Sequence, residues 1–129
     1  MAKVYISDIG MKRFGRREEP LPTLNKQASQ DAVRSTGSKF DALFIGSMNP
    51  DEFTGDSNFA TLMTDRLGLT GTPSTRIENA PGTGSATFEQ AFYSIASGHC
   101  QRVLALAGEK MTSPSTPETT RILSKLIDP

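Results

Sequence analysis

Two short apolar runs that each end in glycine limit most strongly what this chain can fold into. Residues 40–46 read FDALFIG and residues 102–108 read RVLALAG. Runs this short and this apolar are typical of strands that are buried on both faces. Apolar residues before and between them recur at helical spacing, so strands and helices alternate along the chain. This alternation predicts a mainly parallel sheet with helices packed on it.

Three helices and two further strands are predicted around these runs. The buried faces of the helices are Leu24, Ala28, Ala32 and Val33, then Phe59, Leu62, Met63 and Leu67, then Phe88, Ala91, Phe92, Ile95 and Ala96. An opening strand is expected at Val4–Ile9, and a polar strand at Ser74–Ala80. The Ser/Thr/Pro-rich stretch 112–120 is predicted to be a loop, followed by a short helical tail at 121–127. Residues 1–129 are expected to form one domain.

Composition and charge exclude several classes of function. The chain carries 14 basic and 14 acidic residues, so its net charge of zero provides no overall field for nucleic acid or an anionic membrane. The basic cluster 12–17 is followed by Glu18 and Glu19 and is interpreted as a solvated loop. No apolar run approaches the roughly 20 residues that span a bilayer. A single cysteine, Cys100, indicates a reducing cytoplasm, and with the lone His99 it predicts no metal site.

The carboxyl ends of the predicted strands place three loops at one edge of the sheet, where ligands of such sheets usually bind. These loops are Ser47–Asp51, Ala80–Ser85 and Gly108–Thr112. The middle loop leads into a helix whose first N–H groups could stabilise an oxyanion, a thiolate or a phosphate. Its Gly-x-Gly lacks the third glycine of a dinucleotide fingerprint and the lysine of a P-loop. A second interpretation stays open, in which the glycines only allow close packing.

The order of several short motifs resembles the N-terminal half of thiolases, particularly the sterol-carrier type and related bacterial or archaeal acyl-CoA acetyltransferases. The stretches that carry the resemblance are VYISDIGM with FG after it, GLTGTP, RIENA, GSA, SG and VLALAGEKM. It extends from about residue 3 to the end, where residues 127–129 resemble the family's connection to its second half. The resemblance implies a thiolase-like N-terminal βαβαβαβ half, with a mainly parallel mixed sheet.

The nucleophile of the family is missing from the matching turn. Thiolases carry a pattern like Cys-Ala-Ser-Gly at this point, and the matching stretch here is Pro81-Gly82-Thr83-Gly84. Pro81 therefore occupies the place of the cysteine. Thr83 is the nearest hydroxyl and a weak candidate, because a threonine needs an adjacent base to act as a nucleophile. What remains is a turn, Gly82 to Ser85, suited to an oxyanion.

Other candidate residues are interpreted structurally. Cys100 lies beyond the helix, away from the turn, and His99 is expected to be a surface residue. Glu109 is expected to hydrogen-bond a neighbouring loop rather than to catalyse. By the resemblance, the strand with Arg76, Ile77, Glu78 and Asn79 would lie at a subunit interface and pair with its copy across a two-fold axis.

The resemblance implies that the chain is part of an acyl-CoA enzyme of lipid metabolism. This enzyme would make or break a carbon–carbon bond next to a thioester. Such an enzyme would need a second half, would exclude an acyl-cysteine, and would use a coenzyme A thioester as substrate without a further cofactor. A retro-aldol or decarboxylative step remains compatible with the missing cysteine. Implied partners are a homo- or hetero-oligomer and a small zinc-ribbon/OB-fold acyl-CoA-binding protein. The alternatives are a non-catalytic scaffold or dimerisation subunit and, more weakly, a nucleotide-binding domain.

Overall fold

The computed structural model describes residues 3–37 and 39–126, and its centre is a sheet of three parallel strands. The strands are β1 (Ala42–Gly46), β2 (Ser74–Ile77) and β3 (Val103–Ala107), in the order β2-β1-β3. The helices are α1 (Leu21–Ser35), α2 (Pro50–Thr54), α3 (Phe59–Arg66), α4 (Thr83–Ala96) and α5 (Thr116–Ser124), with a 3₁₀ turn at Ala80–Gly82. The α/β class and the parallel sheet are as predicted.

The main core lies on one face of the sheet. Leu43 and Ile45 of β1 are fully buried and face α1 and α3, where Phe59 and Met63 of α3 are buried as well. Leu104 and Leu106 of β3 lie in register with these two residues and extend the same cluster. Helix α4 covers the opposite face, over β1 and β3. The two apolar runs thus form the strands predicted for them, and no residue of β1 is exposed on either face. In β3 the predicted burial on both faces is wrong, because Leu104 and Leu106 are buried while Ala105 and Ala107 are exposed.

The predicted opening strand is wrong for this structure. Residues 3–20 contain no helix or strand, and Ile6 and Ile9 are 66% and 86% exposed. Alternation alone does not make a strand, since each strand needs a neighbour that accepts its backbone hydrogen bonds. Within the described residues, no backbone hydrogen bond links the segment 4–10 to another strand.

The predicted buried face of α4 is also wrong in part. Ala91 is buried, but Phe88 and Phe92 are 55% and 38% exposed. The face that meets the sheet instead carries Thr83, Thr87 and Ala91. The spacing of the aromatic residues predicts that Phe88 and Phe92 face the sheet. In the structure the helix turns its smaller residues towards the sheet instead, because only small side chains let the helix approach the strands closely.

Two helical segments were missed or misplaced. Helix α2 occupies part of the predicted 47–51 turn, with Pro50 in its first turn and Gly55 in the left-handed conformation at its end. Helix α5 begins within the predicted loop, because Ser115 accepts a hydrogen bond from the Glu118 N–H and caps it. The predicted tail reaches residue 127, and residues 127–129, with the connection predicted for them, lie outside the described residues. No helix in the described ranges is long and apolar enough to cross a membrane.

Candidate functional site

The three loops predicted to meet at one edge of the sheet do so. Gly46, the last residue of β1, lies in register with Ile77 at the end of β2 and with Ala107 at the end of β3. Because all three strands are parallel, the segments that follow them leave the sheet at the same edge. The loops 47–51, 80–85 and 108–112 are therefore neighbours in space.

Glu109 holds the first of these loops, as predicted. One carboxylate oxygen, Oε2, accepts hydrogen bonds from the Met48 N–H at 2.5 Å and from the Ser47 hydroxyl at 3.2 Å, and a longer one from the Asn49 N–H at 3.4 Å. The other oxygen, Oε1, is buried and has no partner among the described residues. Glu109 thus ties the end of β3 to the end of β1.

Arg76 holds the same loop from the other side. Its Nε donates to the Ser47 carbonyl oxygen at 3.0 Å, and its Nη2 donates to the Met48 carbonyl oxygen. Its Nη1 lies 3.8 Å from the Asp51 carboxylate, at an exposed ion pair that contributes little. An arginine on β2 and a carboxylate after β3 therefore fix the loop after β1 through its carbonyl and N–H groups respectively.

The pKa of Glu109 is raised above its ordinary value, mainly because burial disfavours the charged carboxylate. The hydrogen bonds from Met48, Asn49 and Ser47 and the charge of Arg76 act in the opposite direction. The folded chain therefore binds this proton more tightly than the unfolded chain. The contribution of Glu109 to the free energy of unfolding is therefore present below about pH 4.5 and is lost as the pH rises through the raised pKa.

We expect Glu109→Ala to lower the free energy of unfolding by about 1–3 kcal/mol, because the N–H groups that it binds lose their acceptor. Glu109→Gln keeps an acceptor but cannot ionise, so its stability should lack the fall that begins near pH 4.5. Urea unfolding of the three proteins at several pH values measures both effects. Identical pH profiles for Glu109→Gln and the unaltered chain would contradict the assignment.

The turn before α4 satisfies its own backbone donors. The N–H groups of Gly82 and Thr83 donate to the carbonyl oxygens of Asn79 and Ala80 respectively. The Ala80 N–H donates to Glu78 Oε1 at 2.6 Å, and the Asn79 N–H donates to the Thr83 hydroxyl at 2.9 Å. In this conformation an incoming oxyanion would meet the N–H groups further into the helix, those of Gly84 and Ser85, rather than all four residues of the predicted site.

Thr83 and Pro81 differ sharply in accessibility. The Thr83 side chain is 7% exposed, and its hydroxyl donates to the Ala80 carbonyl at 2.7 Å while it accepts from Asn79. Both partners of the Thr83 hydroxyl lie within the turn, so its oxygen is already used in hydrogen bonds to the backbone. Pro81 is exposed at the edge of the sheet. Ala80 before it has φ of 44°, a conformation that a non-glycine residue rarely adopts.

Close packing seats α4 against β1 just below this turn. A Cβ added to Gly46 would lie 2.3 Å from the Thr87 hydroxyl oxygen and 3.1 Å from the Thr83 methyl carbon. Only glycine therefore lets the threonine face of the helix reach the strand. The Thr87 hydroxyl is itself fixed, since it donates to the Thr83 carbonyl at 2.7 Å.

Asn25 is a buried polar residue that the sequence patterns missed. Its side chain is 4% exposed on the inner face of α1, and its Oδ1 would lie 2.2 Å from a Cβ on Gly108. Its Nδ2 has no hydrogen-bond partner in the described part of the chain. The signal that could have found it is its position in the helical repeat, since it lies four residues after the buried Leu21 and four before the buried Ser29.

His99 and Cys100 are not brought to this edge. His99 is exposed between α4 and β3, and Cys100 is 5% exposed next to it, at the amino end of β3. Arg76, Glu78 and Asn79 are exposed along and after β2, whose outer edge is free in the described structure. Within the described residues, no three His, Cys, Asp or Glu side chains form a group that could hold a metal ion.

The model of the thiolase N-terminal domain matches residues 4–127, almost the whole chain. The chain belongs to the thiolase family. An acetyl-CoA acetyltransferase of Methanocaldococcus jannaschii is 34% identical over 116 residues, which are 87% of this chain and 30% of that protein. An acetyl-CoA acetyltransferase of Methanothermobacter thermautotrophicus is 35% identical over 121 residues, 91% of this chain and 32% of that protein. This thiolase-family chain therefore spans about a third of the length of these relatives.

Two more distant proteins are also similar to this chain, one in sequence and one in fold. Sterol carrier protein 2 of Gallus gallus is 29% identical over 119 residues, 88% of this chain and 21% of that protein. The solved structure of 3-oxoacyl-[acyl-carrier-protein] synthase III from Aquifex aeolicus superposes with a TM-score of 0.65, at 22% identity, over 81% of this chain and 34% of that one. At this identity the likeness shows the fold alone. The thiolase fold therefore accounts for the parallel sheet and its helices.

Proposed function

We propose that this chain is the N-terminal half of a thiolase-type acyl-CoA enzyme and acts with a second half, supplied by further polypeptide or by a partner chain. The observation that carries the proposal is the family match over residues 4–127, combined with coverage of only 30% and 32% of the two acetyl-CoA acetyltransferases. The edge formed by the loops after the strands would be this half's share of the site.

The chemistry proposed for this edge excludes an acyl-cysteine. Pro81 occupies the position at which the family pattern has its nucleophile, and Thr83 is committed to hydrogen bonds within the turn. The N–H groups of Gly84 and Ser85 at the start of α4 would stabilise a thioester oxyanion.

The second half would contribute an acid–base group. In a retro-aldol step on a 3-hydroxyacyl-CoA, this group would take the proton of the 3-hydroxyl as the bond between the α- and β-carbons breaks and the carbonyl product leaves. In a decarboxylative step on a 2-carboxyacyl-CoA, CO2 would leave instead. Both steps give a thioester enolate that the N–H groups would stabilise, and the acid–base group would then protonate its α-carbon.

A test uses the chain together with the part of the M. jannaschii acetyltransferase that lies beyond the region matched here, expressed together in one cell. We expect a complex that binds acetyl-CoA, whereas either part alone should bind it much more weakly. Isothermal titration with acetyl-CoA measures the difference. Binding by this chain alone that equals binding by the complex would contradict the need for a second half, and so would the absence of any complex.

A non-catalytic scaffold is the second candidate, and the free edge of β2 favours it. Arg76 is exposed there and Ile77 is half-buried, at the edge where the thiolase resemblance implies pairing with a second copy. In this account the chain would self-associate or dock on a complete thiolase-family subunit without reacting. Size-exclusion chromatography with light scattering discriminates, because a stable monomer that joins no such subunit would argue against it.

A further inference from the structure

A second apolar core lies at the edge of the sheet where the three loops meet. Its buried side chains are Met48, Phe53 and Ile122, which are 7%, 2% and 0% exposed. Met48 follows β1, Phe53 belongs to α2 and Ile122 belongs to α5. The main core between the sheet and helices α1 and α3 does not include them. The segments that follow β1 and β3 therefore build this second core together.

The strained turn before α4 contacts the second core. Ala80, which begins the 3₁₀ turn, is half-buried and packs against it. Its φ of 44° is a conformation that a non-glycine residue keeps only where its surroundings determine it. The hydrogen bonds of Ala80 to Glu78 and Thr83 stay within residues 78–83, so they would move with the turn. Contact with the second core ties Ala80 to elements outside the turn.

Two of the three members of the second core are held in place through their own backbone. The Met48 N–H donates to Glu109, and the Met48 carbonyl oxygen accepts from Arg76. The Phe53 N–H donates to the Asn49 carbonyl oxygen at 2.9 Å, at the start of α2. None of these bonds involves α5. They therefore hold Met48 and Phe53 in place independently of that helix.

Helix α5 is attached to this edge chiefly through Ile122. Its basic side chains bind Glu52 of α2, with Lys125 Nζ at 2.5 Å and Arg121 Nη2 at 3.5 Å from the carboxylate. Both basic side chains are about half exposed, and ion pairs of this kind contribute little. Among residues 116–124, only Ile122 is buried. Its side chain therefore supplies the main apolar contact between α5 and the second core.

We propose that Ile122 is a positioning residue of the site: it completes the second core against Ala80 and so fixes the direction of the first N–H groups of α4. The inference rests on the proposed function, because the N–H groups of Gly84 and Ser85 matter only if an oxyanion forms beside them. Without the Ile122 side chain, Ala80 would lose part of the packing that supports its strained conformation. The turn would then relax and the first turn of α4 would fray, so the positive charge at its N-terminus would be weaker.

The test measures the reactivity of a thiol placed at the turn of the free chain. A helix N-terminus lowers the pKa of a thiol, so the thiol of Pro81→Cys reports on the N–H groups at the start of α4. In this background, Ile122→Ala should slow the reaction with iodoacetamide about fivefold near neutral pH and shift the pH–rate profile to higher pH. Ile122→Val keeps a branched apolar side chain and should stay within about 1.5-fold of Pro81→Cys alone. Peptide mass spectrometry at timed intervals, between about pH 6 and about pH 9, gives both readouts.

Leu69→Ala is the matched control, because it removes a side chain of the same size from the main core. Leu69 is 3% exposed and lies between α3 and β2, at the opposite edge of the sheet. In the Pro81→Cys background this control should leave the rate at position 81 within about 1.5-fold. Cys100 is buried, so a rise in its own rate reveals unfolding. A variant that unfolds in buffer is measured again in sucrose, which favours the folded state.

The results separate the role of Ile122 from the proposed function. Equal pH–rate profiles with and without Ile122→Ala, at a slow Cys100 rate, overturn that role and leave the proposed function standing, since acetyl-CoA binding by the complex tests the function. A fall of the same size with Leu69→Ala also overturns the role, because the effect would then reflect general destabilisation. A thiol at position 81 that reacts no faster than one at position 97, at the other end of α4, removes the oxyanion site from the proposed function and the role of Ile122 with it.

Discussion

Gly46→Val is expected to lower the free energy of unfolding by about 3 kcal/mol, a large part of the stability of a domain of this size. The new side chain would begin 2.3 Å from the Thr87 hydroxyl oxygen and 3.0 Å from the Ala107 Cβ. Thr87 is 1% exposed and its hydroxyl is bonded to the Thr83 carbonyl, so it cannot move aside without breaking that bond. Helix α4 would have to lift off the sheet, and the turn at its start would move with it.

The matched control for this substitution is Gly84→Ala in the first turn of α4. A Cβ on Gly84 meets nothing within 4 Å, and alanine favours a helix over glycine by about 0.5–1 kcal/mol. The control should therefore raise the melting temperature, whereas Gly46→Val should lower it by about 10 °C. Differential scanning calorimetry measures both. A Gly46→Val variant as stable as the unaltered chain would show that the threonine face of α4 does not pack against β1 as described.

The second large effect is expected from Pro81→Cys. Pro81 is exposed at the start of α4, where the partial positive charge of a helix N-terminus lowers the pKa of a thiol and favours the reactive thiolate. We expect the new thiol to react with iodoacetamide about tenfold faster than a thiol placed at the other end of the helix. If the second thiol is exposed as well, a difference between the two reaction rates reflects the charge at the helix terminus and not solvent exposure.

Ser97→Cys provides that position, because Ser97 is exposed at the C-terminal end of α4. Cys100 is 5% exposed and should react slowly in every variant, so it sets the background. Mass spectrometry of peptides at timed intervals gives the rate for each cysteine. Equal rates at positions 81 and 97 would mean that the turn does not provide the electrostatic setting proposed for an oxyanion.

The strands at the centre of the fold were predictable because their residues carry the information locally. The runs 40–46 and 102–108 are apolar on both faces and end in glycine, and they form β1 and β3 with their carboxyl ends at one edge. The meeting of the three loops followed from parallel order alone. Glu109 was predictable as a loop ligand, since a carboxylate directly after a buried strand has neighbouring N–H groups within reach.

The rest depended on partners that a periodic pattern does not reveal. The segment 4–9 alternates like a strand, but pairing depends on a neighbour, and none in the described structure binds its backbone. Phe88 and Phe92 have the spacing of a buried face, yet they stay exposed because α4 turns Thr83, Thr87 and Ala91 towards the sheet. The donors of the turn were expected to be free, whereas a 3₁₀ turn before α4 uses them. The first two are tertiary effects, which override local propensity, whereas the 3₁₀ turn is local geometry that hydrophobic spacing does not encode.

The proposed function requires that this half of a thiolase-type site works without a covalent acyl intermediate. The most direct measurement is mass spectrometry of the complex with the second half after incubation with acetyl-CoA, alongside the Pro81→Cys variant as positive control. We expect no acetyl group on residues 80–85 of the unaltered chain and acetylation at position 81 of the variant. Acetylation of the unaltered chain anywhere within Ala80–Ser85, Thr83 included, would contradict the account.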